Sequence, residues 1–119
     1  MMQPNGMDSA FMSELKRMAK DLTVLYGDEL DKIVLYGSYA RGEQTVDSDV
    51  DIAVVLKKDD SKKHEKMIDI VVDCELDLGV TLSVVPIDYE QYMEWKDKLP
   101  FYKNIEKEGI LLWNTETIT

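Results

Sequence analysis

Apolar residues recur at spacings of three and four near the start of the chain, between residues 8 and 26. They are Phe11, Leu15, Met18, Leu22 and Leu25. This spacing places them on one face of an α-helix. Asp8 or Ser9 can cap such a helix, and Gly27 can end it. The pattern therefore predicts an amphipathic helix over residues 8–26.

Two apolar runs predict neighbouring strands. The first, Ile33 to Tyr36, is short and contains β-branched residues, and the second, Val50 to Leu56, is almost entirely apolar. A strand with apolar residues at nearly every position is typical of one that is buried on both faces. Between the two, Ser38 to Arg41 predicts the first turn of a short helix, and residues 42–48 form a polar loop.

The segment from Lys62 to Leu78 fits two patterns. Helical spacing groups its apolar residues on one side and its aspartates on the other, whereas alternation of apolar residues would suit a strand. Strands seldom exceed about ten residues, so the length favours a helix, with Gly79 ending it.

The last third of the chain predicts a third strand, two helical segments and a short edge strand. Val80 to Val85 reads as the strand, ended by Pro86. The helical segments are 88–98 and 101–108, divided by Pro100, and the edge strand is 110–113. The whole predicts an α/β fold: a single domain over residues 1–119, with a short mixed sheet flanked by helices.

Charge and composition narrow the class of protein. The 119 residues carry 24 acidic and 14 basic side chains, a formal charge of −10, and 45% of them are apolar. That apolar fraction is typical of a globular chain. Nucleic-acid binding depends on Lys and Arg contacts to phosphates, so a dedicated nucleic-acid protein is not expected. The acidity suits a basic protein partner, although solubility explains it equally well.

Cysteine content and hydropathy indicate the compartment. Cys74 is the only cysteine, so no disulfide can form within the chain. We interpret it as a small buried apolar residue rather than a reactive thiol. Residues 1–6 are polar, unlike a signal peptide, and no apolar run approaches the ~20 residues of a membrane span. These features predict a cytoplasmic protein without a membrane segment.

A small-residue turn follows the first predicted strand. Gly37 allows an unhindered turn and Ser38 opens the short helix, so exposed N–H groups and a hydroxyl could hold a phosphate. Arg41 could reach the same phosphate with its forked donors, or could pair with a surface acid. Tyr39 could lie near a nucleotide, or could pack in the core.

Two aspartates enter the second strand. Residues i and i+2 of a strand point the same way, so Asp49 and Asp51 would present their carboxylates side by side. Mg²⁺ binds carboxylate oxygens together with substrate phosphates. The alternative interpretation is a polar end of a strand. With the Gly-Ser turn about a dozen residues away, the pair favours a metal-nucleotide site.

These residues carry a resemblance. Gly-Ser-x-Ala-Arg-Gly, then Ser-Asp-x-Asp running into an apolar strand, resembles the nucleotidyltransferase superfamily of DNA polymerase β and kanamycin nucleotidyltransferase. It looks most like the minimal nucleotidyltransferase (MNT) domains that are often encoded beside a HEPN-domain partner. The resemblance implies one or two Mg²⁺ ions at Asp49 and Asp51 and the triphosphate of ATP or another NTP at Gly37 and Ser38. It also implies transfer of a nucleoside monophosphate with loss of pyrophosphate.

One position departs from this family pattern. The superfamily usually supplies a third carboxylate from a neighbouring strand, but the predicted strand Val80 to Val85 contains no acid. Thr81 or Ser83 falls at the expected position. Asp77 and Asp88 lie just outside the strand, and either could take the role.

Three functions stay open at this point. The first is an enzyme that transfers an NMP, AMP foremost, to a hydroxyl, with a HEPN-type toxin as acceptor and the chain as its antitoxin. The second is a weakly active or inactive module that neutralises such a partner by contact. The third is a nucleotide sensor that changes its association state when NTP binds.

Overall fold

The two central apolar strands lie side by side in a four-stranded sheet in a computed structural model of the chain, which describes residues 9–115. They are β1 (Leu30–Tyr36) and β2 (Val50–Leu56), and they pair antiparallel. β3 (Leu82–Asp88) pairs parallel with β2, and β4 (Ile110–Asn114) pairs antiparallel with β1. The strand order β3-β2-β1-β4 confirms the predicted mixed sheet.

Within residues 9–115, five helices flank this sheet, as the sequence predicts. They are α1 (Ser9–Tyr26), α2 (Ser38–Arg41), α3 (Ser61–Leu78), α4 (Tyr89–Trp95) and α5 (Pro100–Glu108), with a short 3₁₀ turn, Gly27–Glu29, between α1 and β1. The first predicted helix is confirmed from Ser9 onward. Asp8 and the polar residues 1–6 lie outside the described residues, and so do the outer bounds of the predicted domain 1–119.

The ambiguous segment is a helix, as its length favours. Met67, Val71 and Cys74 are buried on the side of α3 that packs against α1. Asp60 caps the helix by accepting a hydrogen bond from the Lys63 N–H at 2.9 Å. Cys74 is a buried thiol, as interpreted from the sequence, and burial raises its pKa to about 11.

The bounds of several predicted elements were wrong. β1 begins at Leu30 rather than Ile33, and β3 spans Leu82–Asp88, so Pro86 lies inside the strand instead of ending it. Among the described residues, β3 is an edge strand that pairs with β2 alone. Proline, which lacks a backbone N–H, is tolerated in such a strand. Pro100 opens α5 rather than preceding it, because its fixed φ suits the first turn of a helix.

Apolar side chains from β2 fill the space on both sides of the sheet, as predicted. Ile52 and Val54 face α1 and α3 in a large core, whereas Ala53 and Val55 face α4 and α5 in a smaller one. All four are fully buried. No helix within residues 9–115 has the length and apolar composition that a membrane crossing would require.

Candidate functional site

The turn after β1 has the conformation that the sequence predicts. Gly37 follows the last residue of β1 with φ of 76° and ψ of −156°, a region that residues with a side chain rarely adopt. Ser38 then begins the four-residue helix α2, and the Arg41 N–H donates to the Gly37 carbonyl at 3.2 Å. The first amides of a helix have no partner within the helix, so the start of α2 carries donors suited to an anion.

Asp51 lies at the centre of the sheet end that faces this turn. It is the second residue of β2 and pairs with Tyr36 on β1 and with Ser83 on β3. Asp49 immediately precedes the strand and is exposed. Burial raises the pKa of Asp51, the charge of Asp49 raises it further, and the Arg41 guanidinium opposes both. The two carboxylates are therefore close enough to repel each other, as the i and i+2 spacing predicts.

The turn and the carboxylate pair are in direct contact. A β-carbon added at Gly37 would overlap the carboxylate of Asp51. Glycine is therefore required at this position both for its positive φ and for the space that Asp51 occupies. This contact brings three of the predicted site residues, Gly37, Asp51 and Arg41, to one end of the sheet.

Arg41 already has acidic neighbours. Its Nε donates to Glu43 at 2.9 Å, and one terminal nitrogen lies 3.8 Å from a carboxylate oxygen of Glu108. The side chain remains partly exposed, so these pairs are screened by water. The predicted pairing of Arg41 with a surface acid is therefore confirmed, and its guanidinium also lies within electrostatic range of Asp51. Contact of Arg41 with a phosphate stays a prediction.

Ser83 occupies the strand position at which a third carboxylate would be expected. The parallel register places it directly beside Asp51. Neither candidate acid replaces it. Asp88 pairs with Leu56 at the far end of β3 and caps α4 through the Gln91 N–H at 3.0 Å, and Asp77 binds Arg17 at 2.6 Å. Within residues 9–115, no group of three or more His, Cys, Asp or Glu side chains is placed to hold a metal.

An open cleft lies beside Asp49, with a volume of about 560 Å³, within the range of small-molecule sites. Its lining includes Tyr39, Val46, Asp49, Glu75, Leu76 and Thr81. Tyr39 also stacks on Phe11 with 5.6 Å between ring centroids, so its predicted packing is confirmed, whereas its proximity to a nucleotide stays a prediction.

Two residues near the site were missed by the sequence analysis. Glu75 projects from α3 and accepts the Leu82 N–H at 2.8 Å, at the start of β3 and on the wall of the cleft. Tyr36 lies beside Asp51, and burial together with that carboxylate raises its pKa. Its ring meets Phe101 of α5 edge to face. Only the packing of α3 brings Glu75 here, whereas Tyr36 directly precedes Gly37 and lies beside Asp51 through the pairing of β1 with β2.

Comparison with known families identifies the class of the chain. The family model described as polymerase beta, nucleotidyltransferase, matches residues 19–118. The chain belongs to this nucleotidyltransferase family. Two relatives in Methanocaldococcus jannaschii are named as candidate protein adenylyltransferases. They are 32% and 31% identical over 96 and 99 residues, covering 81% and 83% of this chain and 92% and 94% of theirs.

Solved structures of nucleotidyltransferases share the fold. A candidate minimal nucleotidyltransferase superposes with a TM-score of 0.56 at 22% identity, covering 89% of this chain and 97% of the other. A toxin–antitoxin structure with AMP-PNP gives 0.53 at 22%, covering 86% and 75%. The complex of a tri-AMPylated HEPN toxin from Shewanella oneidensis with its MNT antitoxin gives 0.51 at 18%, covering 93% and 76%. These structures show that the chain shares their fold, while its membership of the nucleotidyltransferases, a class of transferases, follows from the family model and the archaeal relatives.

Proposed function

We propose that this nucleotidyltransferase transfers a nucleoside monophosphate, AMP foremost, from a Mg²⁺-bound NTP to a hydroxyl group of a protein. One observation carries the proposal. The Asp51 carboxylate lies against the backbone of Gly37 and within electrostatic range of both Asp49 and Arg41. The two carboxylates therefore lie next to a turn that can hold phosphate. A metal-bound triphosphate needs both, carboxylates for the metal and amide donors for the phosphates.

The residues present suit Mg²⁺. Asp49 and Asp51 supply hard oxygen ligands, and Mg²⁺ commonly takes one or two carboxylates and completes its shell with substrate phosphates and water. Partial burial of Asp51, together with the charge of Asp49, raises the pKa of the Asp51 carboxyl, which means that its charged form is disfavoured. A bound cation would stabilise that charged form. When bound, Mg²⁺ would neutralise developing negative charge on the phosphates.

Gly37, Ser38 and Arg41 would bind and orient the triphosphate. The acceptor hydroxyl oxygen forms a bond to the α-phosphorus while the bond to the α,β-bridging oxygen breaks. Pyrophosphate leaves with that electron pair, and the hydroxyl proton is released to solvent. Such a displacement depends on alignment and charge neutralisation more than on covalent help from the protein.

A protein acceptor is supported by the relatives. Two archaeal relatives are named for adenylyl transfer to protein, and one structural neighbour is an antitoxin in complex with an AMPylated HEPN toxin. We extend this to the chain as a proposal: its acceptor is a HEPN-type toxin, it acts as the antitoxin, and it works in the cytoplasm.

The first test is calorimetric titration of the chain with each of the four NTPs, with and without Mg²⁺. We expect Mg²⁺-dependent binding of at least one NTP, weakened tenfold or more in Asp49→Asn. The matched control is Asp28→Asn, which removes an exposed carboxylate at the opposite end of β1. Absence of Mg²⁺-dependent binding to every NTP would overturn the proposal.

A second function is favoured by Ser83, because the strand next to Asp51 lacks the third acid. In that case the chain would neutralise its partner by contact and transfer little or no nucleotide. The Ser83→Asp substitution restores a carboxylate beside Asp51, so it should raise transfer to a purified HEPN partner at least tenfold if the chain is an enzyme. Full neutralisation of the toxin by an Asp49→Ala, Asp51→Ala double variant would instead favour the contact mechanism.

A further inference from the structure

Helix α3 exposes a row of apolar side chains. Ile68, Val72 and Leu76 are 47%, 42% and 77% exposed, although each is a large aliphatic residue. A spacing of four places them above one another on one face, opposite the face that α3 packs against α1. Scattered exposed apolar residues are ordinary, but a contiguous row of them is typical of an interaction surface.

This row reaches the open cleft beside Asp49. Leu76 lines the cleft beside Asp49, and so does Val46, which is fully exposed in the loop before β2. A molecule that covers the row would therefore reach the mouth of the cleft.

Lys62, Lys63 and Lys66 lie in the first turns of α3, but the charges along the rest of the row, toward the cleft, have one sign. Between residues 67 and 79 every charged side chain is acidic: Asp69, Asp73, Glu75 and Asp77. Arg17 of α1 pairs with Asp77, but Asp69 and Asp73 form no ion pair within residues 9–115. The cleft adds Asp47 and Asp49. A second copy packed on this part of α3 would bring like charges together, whereas a segment that carries Lys or Arg would complement them.

We propose that Ile68, Val72, Leu76 and Val46 form a docking surface for the protein acceptor. The segment of the acceptor that binds there is an amphipathic helix with apolar side chains flanked by Lys or Arg. The proposal rests on the proposed function in one respect, namely that the acceptor is a protein. Docking on this surface brings the acceptor to the cleft that contains Asp49.

The test uses a synthetic peptide of about five helical turns, with Leu on one face and Lys on the other. A scrambled peptide of the same composition keeps the charge but has no apolar face. Each is titrated into the ¹⁵N-labelled full chain at physiological salt, which screens non-specific attraction. We expect amide shifts confined to α3 and residues 46–49, and binding of the scrambled peptide at least tenfold weaker.

Two variants with the same change of charge locate the surface. Val72→Lys should weaken binding of the amphipathic peptide at least tenfold. Val24→Lys, at an 81% exposed position on α1, should leave it within twofold. Both positions are solvent-exposed, so both variants should fold, as circular dichroism would check.

Equal weakening of peptide binding by the two variants, or amide shifts centred on another element, would overturn the proposal. So would a dimer of the wild-type chain in sedimentation that Val72→Lys dissociates, because a second copy would then occupy the surface.

Measuring Mg²⁺–NTP binding in the same samples separates this proposal from the proposed function. Val72 does not line the cleft, so Val72→Lys should bind NTP as the wild type does. If the chain binds the amphipathic peptide specifically but binds no NTP, the docking surface is supported and the proposed nucleotide transfer is overturned.

Discussion

The two faces of the sheet are covered very differently. On one face, α1 and α3, each 18 residues long, pack over a large continuous core. On the other, α4 and α5 have seven and nine residues and cover a cluster of six buried side chains. Side-chain alternation along β2 places Asp51 on this second face, in line with Ala53 and Val55.

This difference shows how a small chain can combine stability with an open site. Most of the buried apolar side chains lie in the core beneath the two long helices, and hydrophobic stabilisation is roughly proportional to the buried apolar area. The short helices leave the Asp51 end of the sheet accessible, where carboxylates can meet a ligand. The following substitutions test the division of roles, starting with the largest expected effect.

Gly37→Ala should be the most damaging of these changes, and Gly79→Ala is its matched control. Both glycines have positive φ, 76° and 68°. Gly79 has left-handed helical geometry, where alanine incurs about 1–2 kcal/mol of backbone strain, whereas Gly37 has a ψ of −156°, in a region nearly confined to glycine, where the strain is about 1–3 kcal/mol. At Gly37 the new β-carbon also meets the Asp51 carboxylate, whereas at Gly79 it meets nothing within 4 Å. We expect losses in the free energy of unfolding of about 3–4 and about 1–2 kcal/mol, measured by urea denaturation.

Equal losses for the two glycine variants would mean that Asp51 moves aside at little cost. NTP titration of both variants then shows whether Asp51 has moved. A displaced Asp51 should weaken Mg²⁺–NTP binding in Gly37→Ala but not in Gly79→Ala.

Val54→Ala and Val55→Ala compare the two cores directly. The residues are adjacent on β2, fully buried and on opposite faces. We expect a loss of about 2–3 kcal/mol for Val54→Ala and about 1–2 kcal/mol for Val55→Ala, because the small cluster can collapse more readily around the two missing methyl groups. Denaturant titration of both variants measures the difference. A larger loss at Val55 would show that α4 and α5 contribute more to stability than their size indicates.

Tyr92→Phe tests the polar network beneath α4 and α5. The buried Tyr92 hydroxyl donates to Glu106, and Lys32 and Lys96 lie 3.4 Å and 3.9 Å from the same carboxylate. Loss of this hydrogen bond should cost about 1 kcal/mol at neutral pH.

The pH dependence of this loss has a definite sign. The Tyr92 hydroxyl, followed by the lysines, lowers the pKa of Glu106. Its carboxylate therefore stabilises the fold above the pKa of the unfolded chain, and that stability is lost as the pH falls through the lowered pKa. The difference in Tm between wild type and Tyr92→Phe should shrink across this acidic range. If the difference in Tm did not change with pH, the destabilisation by Tyr92→Phe would come from packing rather than from the hydrogen bond to Glu106.

Asp51→Asn should have the smallest effect on stability, and with the opposite sign. Because the folded state raises the pKa of Asp51, its charged form destabilises the fold as the pH rises through that pKa. The amide should therefore increase stability at neutral pH, by less than about 1 kcal/mol since water screens the partly exposed group. The gain should vanish in acid, as thermal melts would show, while NTP binding is lost at neutral pH. A loss of stability at neutral pH would indicate that attraction to Arg41 stabilises the charged Asp51 more than burial and repulsion from Asp49 destabilise it.

The elements could be predicted where the pattern is local and strong. The 3.6-residue period identified α1, and the continuous apolar run identified β2 with both faces buried. The segment at α3 satisfied two periods at once, and only its length favoured the helix that the structure contains. Pro86 was misplaced as the end of a strand, because the sequence does not reveal that β3 lies at an edge.

For the site, the sequence by itself determined which chemical groups are available: the glycine turn, the two carboxylates at i and i+2, and one arginine. Local geometry fixes these relations within a few residues. Only the tertiary structure decided that Asp51 fills the space beside Gly37, that Ser83 is its neighbour on β3, and that Glu75 reaches the start of that strand. Each of these contacts joins two different elements of the fold, and the register between those elements depends on how the whole core packs.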